Sequence, residues 1–151
     1  MEEGLISVNR QADSRSMLAE ILVAFLGKKQ DIRTYSPLTL AYVGDGVYEL
    51  LTREWIACKA NRPARELNQA KVTMVSAPAQ AEGFLKIQEL LTEKEYEVFK
   101  RGRNAHTVRA PKSATRAQYH QATGVEALFG WLYLSGNVSR AVELFYKMFE
   151  E

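Results

Sequence analysis

Apolar residues recur at intervals of three and four from one end of this chain to the other, and nowhere alternate over a convincing length. Three-four spacing gathers side chains on one face of a helix, whereas a strand requires a period of two. No hairpin signal of the Asn-Gly type interrupts the pattern. The sequence therefore predicts an all-α fold. Met17, Leu18, Ile21, Leu22, Phe25 and Leu26 mark a first helix over 14–28, with Gly27 close to its end. Ser36 as N-cap and Pro37 at the first helical position start a second, which runs through Val43, Val47, Leu51 and Trp55 to about Asn61. Pro63 opens a third segment and Ser76-Ala77-Pro78 a fourth, while Thr92 with Glu95 forms a capping box for a fifth. A strongly apolar helix follows over about Tyr119 to Leu134; Gly136 ends it and Asn137 caps the last.

A length of 151 residues suits one domain with a single core. The division expected is an N-terminal extension, 1–35, whose one helix packs on the domain, and a main unit, 36–151. No apolar run approaches the roughly 18–20 residues that span a bilayer. The N-terminus MEEGLISVNRQADSRS carries acids where a secretory signal carries positive charge, so the chain is expected to be cytoplasmic. A single cysteine, Cys58, rules out an internal disulfide. With only His106 and His120 beside it, a Cys/His zinc site is excluded as well. Any metal would have to be held by oxygen.

Two carboxylates lie where solvated acids do not belong: Asp45 in LAYVGDGVYEL and Glu126 in ATGVEALFGWLYL. An acid on an apolar face must be hydrogen-bonded, paired or metal-bound. A buried partner satisfies either acid singly; brought together, the two would repel unless a proton or a hard cation such as Mg²⁺ lay between them. Gly44 and Gly46 flank Asp45 and leave room for ion-bound water or for the close approach of another helix. Glu49 lies one turn on, either as an outer ligand or paired with Arg53. Tyr48, Trp131 and Tyr133 read as core or interface aromatics.

Charge is uneven. KRGRNAHTVRAPKSATRAQYH, residues 100–120, has six cations (Lys100, Arg101, Arg103, Arg109, Lys112 and Arg116), both histidines and no acid, whereas the remainder is mildly acidic. Asn104, Thr107 and Ser113 add hydrogen-bonding groups, so the segment is expected to be a loop that contacts phosphate, with Asn104 and His106 among its binding residues. Aromatic spacing is lacking, which favours recognition of duplex shape over base stacking.

These stretches resemble a known family. LTLAYVGDGVYEL is similar to the catalytic-helix motif of ribonuclease III, LNQAKVTMVSAPAQAEGF to the segment that follows it, and TGVEALFGWLYL to its second acidic helix. KRGRNA and the short chain resemble the Mini-III subclass, which lacks a double-stranded-RNA-binding domain. The resemblance covers about 36–135. It implies an all-helical homodimer that hydrolyses double-stranded RNA with Mg²⁺, Mn²⁺ substituting, through a metal-activated water, leaving 5′-phosphate and 3′-hydroxyl ends. Asp45 and Glu126 would be the catalytic metal ligands and Tyr42 an aromatic at the dimer interface. Leu38, Ala41 and Thr123 stand where full-length ribonuclease III has acids, a reduction the Mini-III subclass shares. The expected substrate is a precursor of large-subunit (23S-type) ribosomal RNA, with a ribosomal protein as a further partner. With no Lys or His expected between the acids, the ion would supply the activation. Two other readings are a non-catalytic ribonuclease III-like RNA binder and a helical dimerisation or adaptor module.

Overall fold

Four α-helices of this chain begin where a side chain accepts from the orphaned N–H groups of the first turn. In the computed structural model, which describes residues 17–27, 30–105 and 114–151, there are seven: α1 (Met17–Leu26), α2 (Pro37–Lys59), α3 (Ala64–Val75), α4 (Ala77–Ile87), α5 (Glu93–Arg103), α6 (Arg116–Leu134) and α7 (Val138–Phe149). The described residues contain no strand, so the all-α expectation holds. Ser36 Oγ accepts from the Thr39 N–H at 3.1 Å and Ser76 Oγ from Ala79 at 3.3 Å. Thr92 and Glu95 form the predicted reciprocal box, at 3.1 and 2.8 Å. A second box joins Thr115 and Gln118, at 3.1 and 3.0 Å. It starts α6 at Arg116, earlier than the predicted Tyr119, because Thr-x-x-Gln caps a helix even inside a basic segment. Gly136, at φ 77°, ends that helix. Asn137 precedes α7, but its side chain makes no capping bond.

The centre of the domain is α6, apolar nearly all round and buried on successive turns at Ala122, Val125, Leu128, Phe129 and Leu132, the pattern of a helix surrounded by others. It packs against α2, α4, α5 and α7. Tyr48 of α2 meets Phe129 and Phe145 edge-on, both at 5.4 Å between ring centroids, and Phe84 stacks on Phe99 at 3.9 Å. Tyr48 is therefore a core aromatic, its hydroxyl donating to the Met74 carbonyl at 3.3 Å. Glu95 is buried, and Arg140 of α7 grips both its oxygens at 2.9 Å, tying α7 to the start of α5.

The contact between α2 and α6 fixes the site. A Cβ at Gly44 would lie 1.6 Å from the Glu126 carbonyl oxygen, and one at Gly130 would lie 1.9 Å from that of Leu40. The two helices cross backbone to backbone on these glycines, closer than any side chain permits. The first helix departs from expectation. Leu18, Ile21, Leu22, Phe25 and Leu26 of α1 are exposed, so its expected burial on the domain is not seen in these side chains; its spacing gathers them on one face but supplies no partner.

Candidate active site

The crossing sets the positions of both unusual acids. Gly44 seats α2 on the backbone of Glu126 itself, and Asp45 is the next residue along α2. Solvent reaches Asp45, while Glu126 is largely enclosed. Burial pushes the Glu126 carboxyl up to about 7, and the charge of Asp45 pushes the same way, against a hydrogen bond from Gln80 that favours ionisation. Asp45 is raised too, first by loss of water and then by Glu49, with Lys71 opposing. The structure thus brings together the two acids singled out in the sequence.

The flanking glycines divide the two tasks proposed for them. Gly44 admits the neighbouring helix, whereas a Cβ at Gly46 would meet nothing within 4 Å, so space remains open beside Asp45. Glu49 is ion-paired, as one of its two expected roles has it: its Oε1 accepts from Arg53 at 2.9 Å and from Lys71 at 3.0 Å. These bonds hold Glu49 below the usual carboxylate range. Of the positions where an acid is replaced, Leu38 is exposed, Ala41 buried, and Thr123 buried with its hydroxyl donating to the Tyr119 carbonyl at 3.0 Å.

Two further residues join the site from α3 and α4. Gln80 Nε2 donates to Glu126 Oε1 at 3.2 Å and to the Val75 carbonyl at 3.0 Å. Lys71 brings a cation to the Asp45 side, where its charge favours the ionised acid. Both occur in the segment LNQAKVTMVSAPAQAEGF, but their approach depends on how the α3–α4 corner folds back on α2 and α6, and no spacing within the segment encodes that.

The donor set suits a hard divalent cation. Among the described residues Asp45 accepts no hydrogen bond and Glu126 accepts one, so carboxylate oxygens remain available and neither nitrogen nor sulfur competes. No group of three or more His, Cys, Asp and Glu side chains gathers there among the described residues. Any such ion would be completed by water or phosphate.

The basic segment is not a single loop. Lys100, Arg101 and Arg103 occupy the last turn of α5, where cations complement the helix dipole, and Arg116 opens α6. Lys100 Nζ lies 5.5 Å from the Tyr96 ring centre and the Arg103 guanidinium 5.7 Å from that of Phe99. Arg103 Nε donates to Asn104 Oδ1 at 3.2 Å. Arg103, Asn104, Arg116, His120 and Gln121 line an open depression of about 490 Å³. His120, read as a loop histidine, lies within α6. His106, Arg109 and Lys112 lie outside the described residues. Tyr42 is 83% exposed, and at four-residue spacings on its face of α2 stand the exposed Leu38 and Leu50.

An all-α domain whose two longest helices cross on glycines and carry one acid each to a shared site defines a helical domain of the ribonuclease III type. The model of the Ribonuclease III domain matches residues 38–137. The chain is 39% identical over 140 residues to "Mini-ribonuclease 3" of Thermoanaerobacter sp., covering 91% of this chain and 99% of that one. It is 43% identical to "Mini-ribonuclease 3" of Symbiobacterium thermophilum, covering 74% and 85%. A crystal structure of a Fusobacterium nucleatum protein superposes with a TM-score of 0.69 at 32% identity, over 78% of this chain and 93% of that one. The chain belongs to the ribonuclease III family, where it groups with the short Mini-III members. None of the described helices is long and apolar enough to cross a membrane.

Proposed function

We propose that this chain is an endoribonuclease that cuts double-stranded RNA as a homodimer, with Asp45 and Glu126 holding a divalent cation, Mg²⁺ or Mn²⁺. The observation that carries the reading is the acid pair at the α2–α6 crossing, where burial and the Asp45 charge raise Glu126 to about 7; a divalent cation relieves both effects. When bound, such an ion supplies Lewis-acid polarisation of the scissile phosphate and acidification of water. The chain's own residues do the rest. Asp45 faces the open side beside Gly46, where phosphate has room to approach. Lys71 pairs with Glu49 and moderates the negative charge at Asp45. The basic end of α5 and Arg116 bind backbone phosphates of the duplex, a contact that positions RNA without reading its sequence.

Tyr42, with Leu38 and Leu50, offers an apolar stripe on α2 to a second copy. Two-fold pairing then gives each strand of the duplex one site. Family membership extends the proposal to 5′-phosphate products and to a large-subunit ribosomal RNA precursor as substrate.

The test is incubation of labelled duplex and single-stranded RNA with the protein in Mg²⁺ or EDTA, beside Asp45→Asn. The proposal expects Mg²⁺-dependent cutting of the duplex that the substitution abolishes. Duplex bound but intact in Mg²⁺ would leave a non-catalytic RNA binder, and duplex neither bound nor cut would leave an adaptor module.

A further inference from the structure

We infer that Gln80 is a positioning residue for Glu126, setting the affinity of the acid pair for its cation rather than the stability of the fold. Gln80 is 2% exposed, in the first turns of α4. Both N–H bonds of its amide are used, one on the Val75 carbonyl at 3.0 Å and one on Glu126 Oε1 at 3.2 Å. Its Oε1 is buried and has no hydrogen-bond partner. The amide cannot be turned over, because its oxygen would then face a carbonyl and a carboxylate, two acceptors.

An unsatisfied buried acceptor costs stability. A leucine or methionine would fill the same space without that cost, so packing does not account for the amide; its donors do. Val75 is the last residue of α3, and its carbonyl is among those that no further helical turn can satisfy. The α3–α4 corner therefore anchors one side of the amide on fixed backbone while the other side holds one oxygen of Glu126, leaving Oε2 for the ion. A partner that orients a ligand in this way is worth roughly 10–100-fold in metal affinity.

This inference rests on the proposed cation site, and the experiment separates the two. Mn²⁺ binding to the full chain without RNA is titrated by electron paramagnetic resonance for the wild type, Asp45→Asn, Gln80→Met and Gln80→Asn, with urea unfolding of each. Gln80→Met sheds the orphaned Oε1 but leaves the Val75 carbonyl and Glu126 Oε1 without their donor, so it is expected to stay folded with a urea midpoint close to that of the wild type and to bind Mn²⁺ at least about 10-fold more weakly. Gln80→Asn, whose amide falls one methylene short of Glu126, should lose comparable affinity, and it decides the matter should the methionine variant fail to fold. Wild-type binding that is abolished by Asp45→Asn but kept within twofold by the folded Gln80 variants would overturn the role of Gln80 alone. A wild type without Mn²⁺ affinity, or an Asp45→Asn variant binding as tightly as the wild type, would overturn the cation site and this inference with it.

Discussion

Replacing Glu126 by glutamine should stabilise the metal-free protein in alkaline solution but much less in acid. Unfolded, the carboxyl titrates near 4.5; folded, it holds its proton up to about pH 7. Below 4.5 both states are protonated, and the stabilising contribution of the group is fully present. Between 4.5 and 7 only the folded chain keeps the proton, so stability falls as pH rises, by about 1.4 kcal/mol per pH unit. Above 7 both states are ionised and this group withdraws nothing further. The whole window costs about 3 kcal/mol. Glutamine has nearly the same shape, can still accept from Gln80 and does not titrate. Urea unfolding in EDTA at pH 5 and pH 8 measures the effect: the advantage of Glu126→Gln over the wild type should grow by about 2.5 kcal/mol between them, part of the loss having already occurred by pH 5. Mg²⁺ added at pH 8 should then raise the wild type and leave the variant behind. An advantage that stays constant with pH, or shrinks, would refute a buried acid held against another acid at this crossing.

Gly44→Ala should destabilise by about 3 kcal/mol or more, since its Cβ would lie 1.6 Å from the Glu126 carbonyl oxygen; Gly46→Ala, two residues away with open space, should be neutral or stabilising by up to about 1 kcal/mol. Urea unfolding of both tests the crossing with a single substitution type. Lys71→Met removes a cation that offsets Asp45, so the Mg²⁺ concentration for half-maximal cleavage should fall; a rise would contradict the placement of that charge. Arg101→Ala with Arg103→Ala should weaken duplex binding and reduce the log–log salt slope by about 2. An unchanged slope in a binding titration would remove these residues from the interface.

Much of the architecture was legible because local chemistry determines it. Ser36-Pro37 and Thr92 with Glu95 announce their helices, and the same rule at Thr115 and Gln118 places the start of α6 once the basic segment is no longer read as continuous loop. Asp45 and Glu126 stand out as acids on apolar helices without knowledge of the crossing. What joins them was not legible. Gly44 and Gly130 look alike in sequence to glycines such as Gly46 that touch nothing, and only the α2–α6 packing distinguishes them. Gln80 reaches Glu126 across 46 positions, through a corner no periodicity encodes. Lys71 stands 26 positions from Asp45 in sequence. The apolar face of α1 was legible as a pattern, but a pattern names no partner, and its side chains are exposed.

If Asp45 and Glu126 hold one cation they act as one unit, and a double-mutant cycle in duplex cleavage reads that coupling. Initial rates are measured in saturating Mg²⁺ for the wild type, Asp45→Asn, Glu126→Gln and the double variant. Groups that act together lose their effect together, so the double variant should cleave no more slowly than the worse single one. Losses that multiply in the double variant, or a single variant that cleaves as well as the wild type, would mean that the two acids do not share a cation.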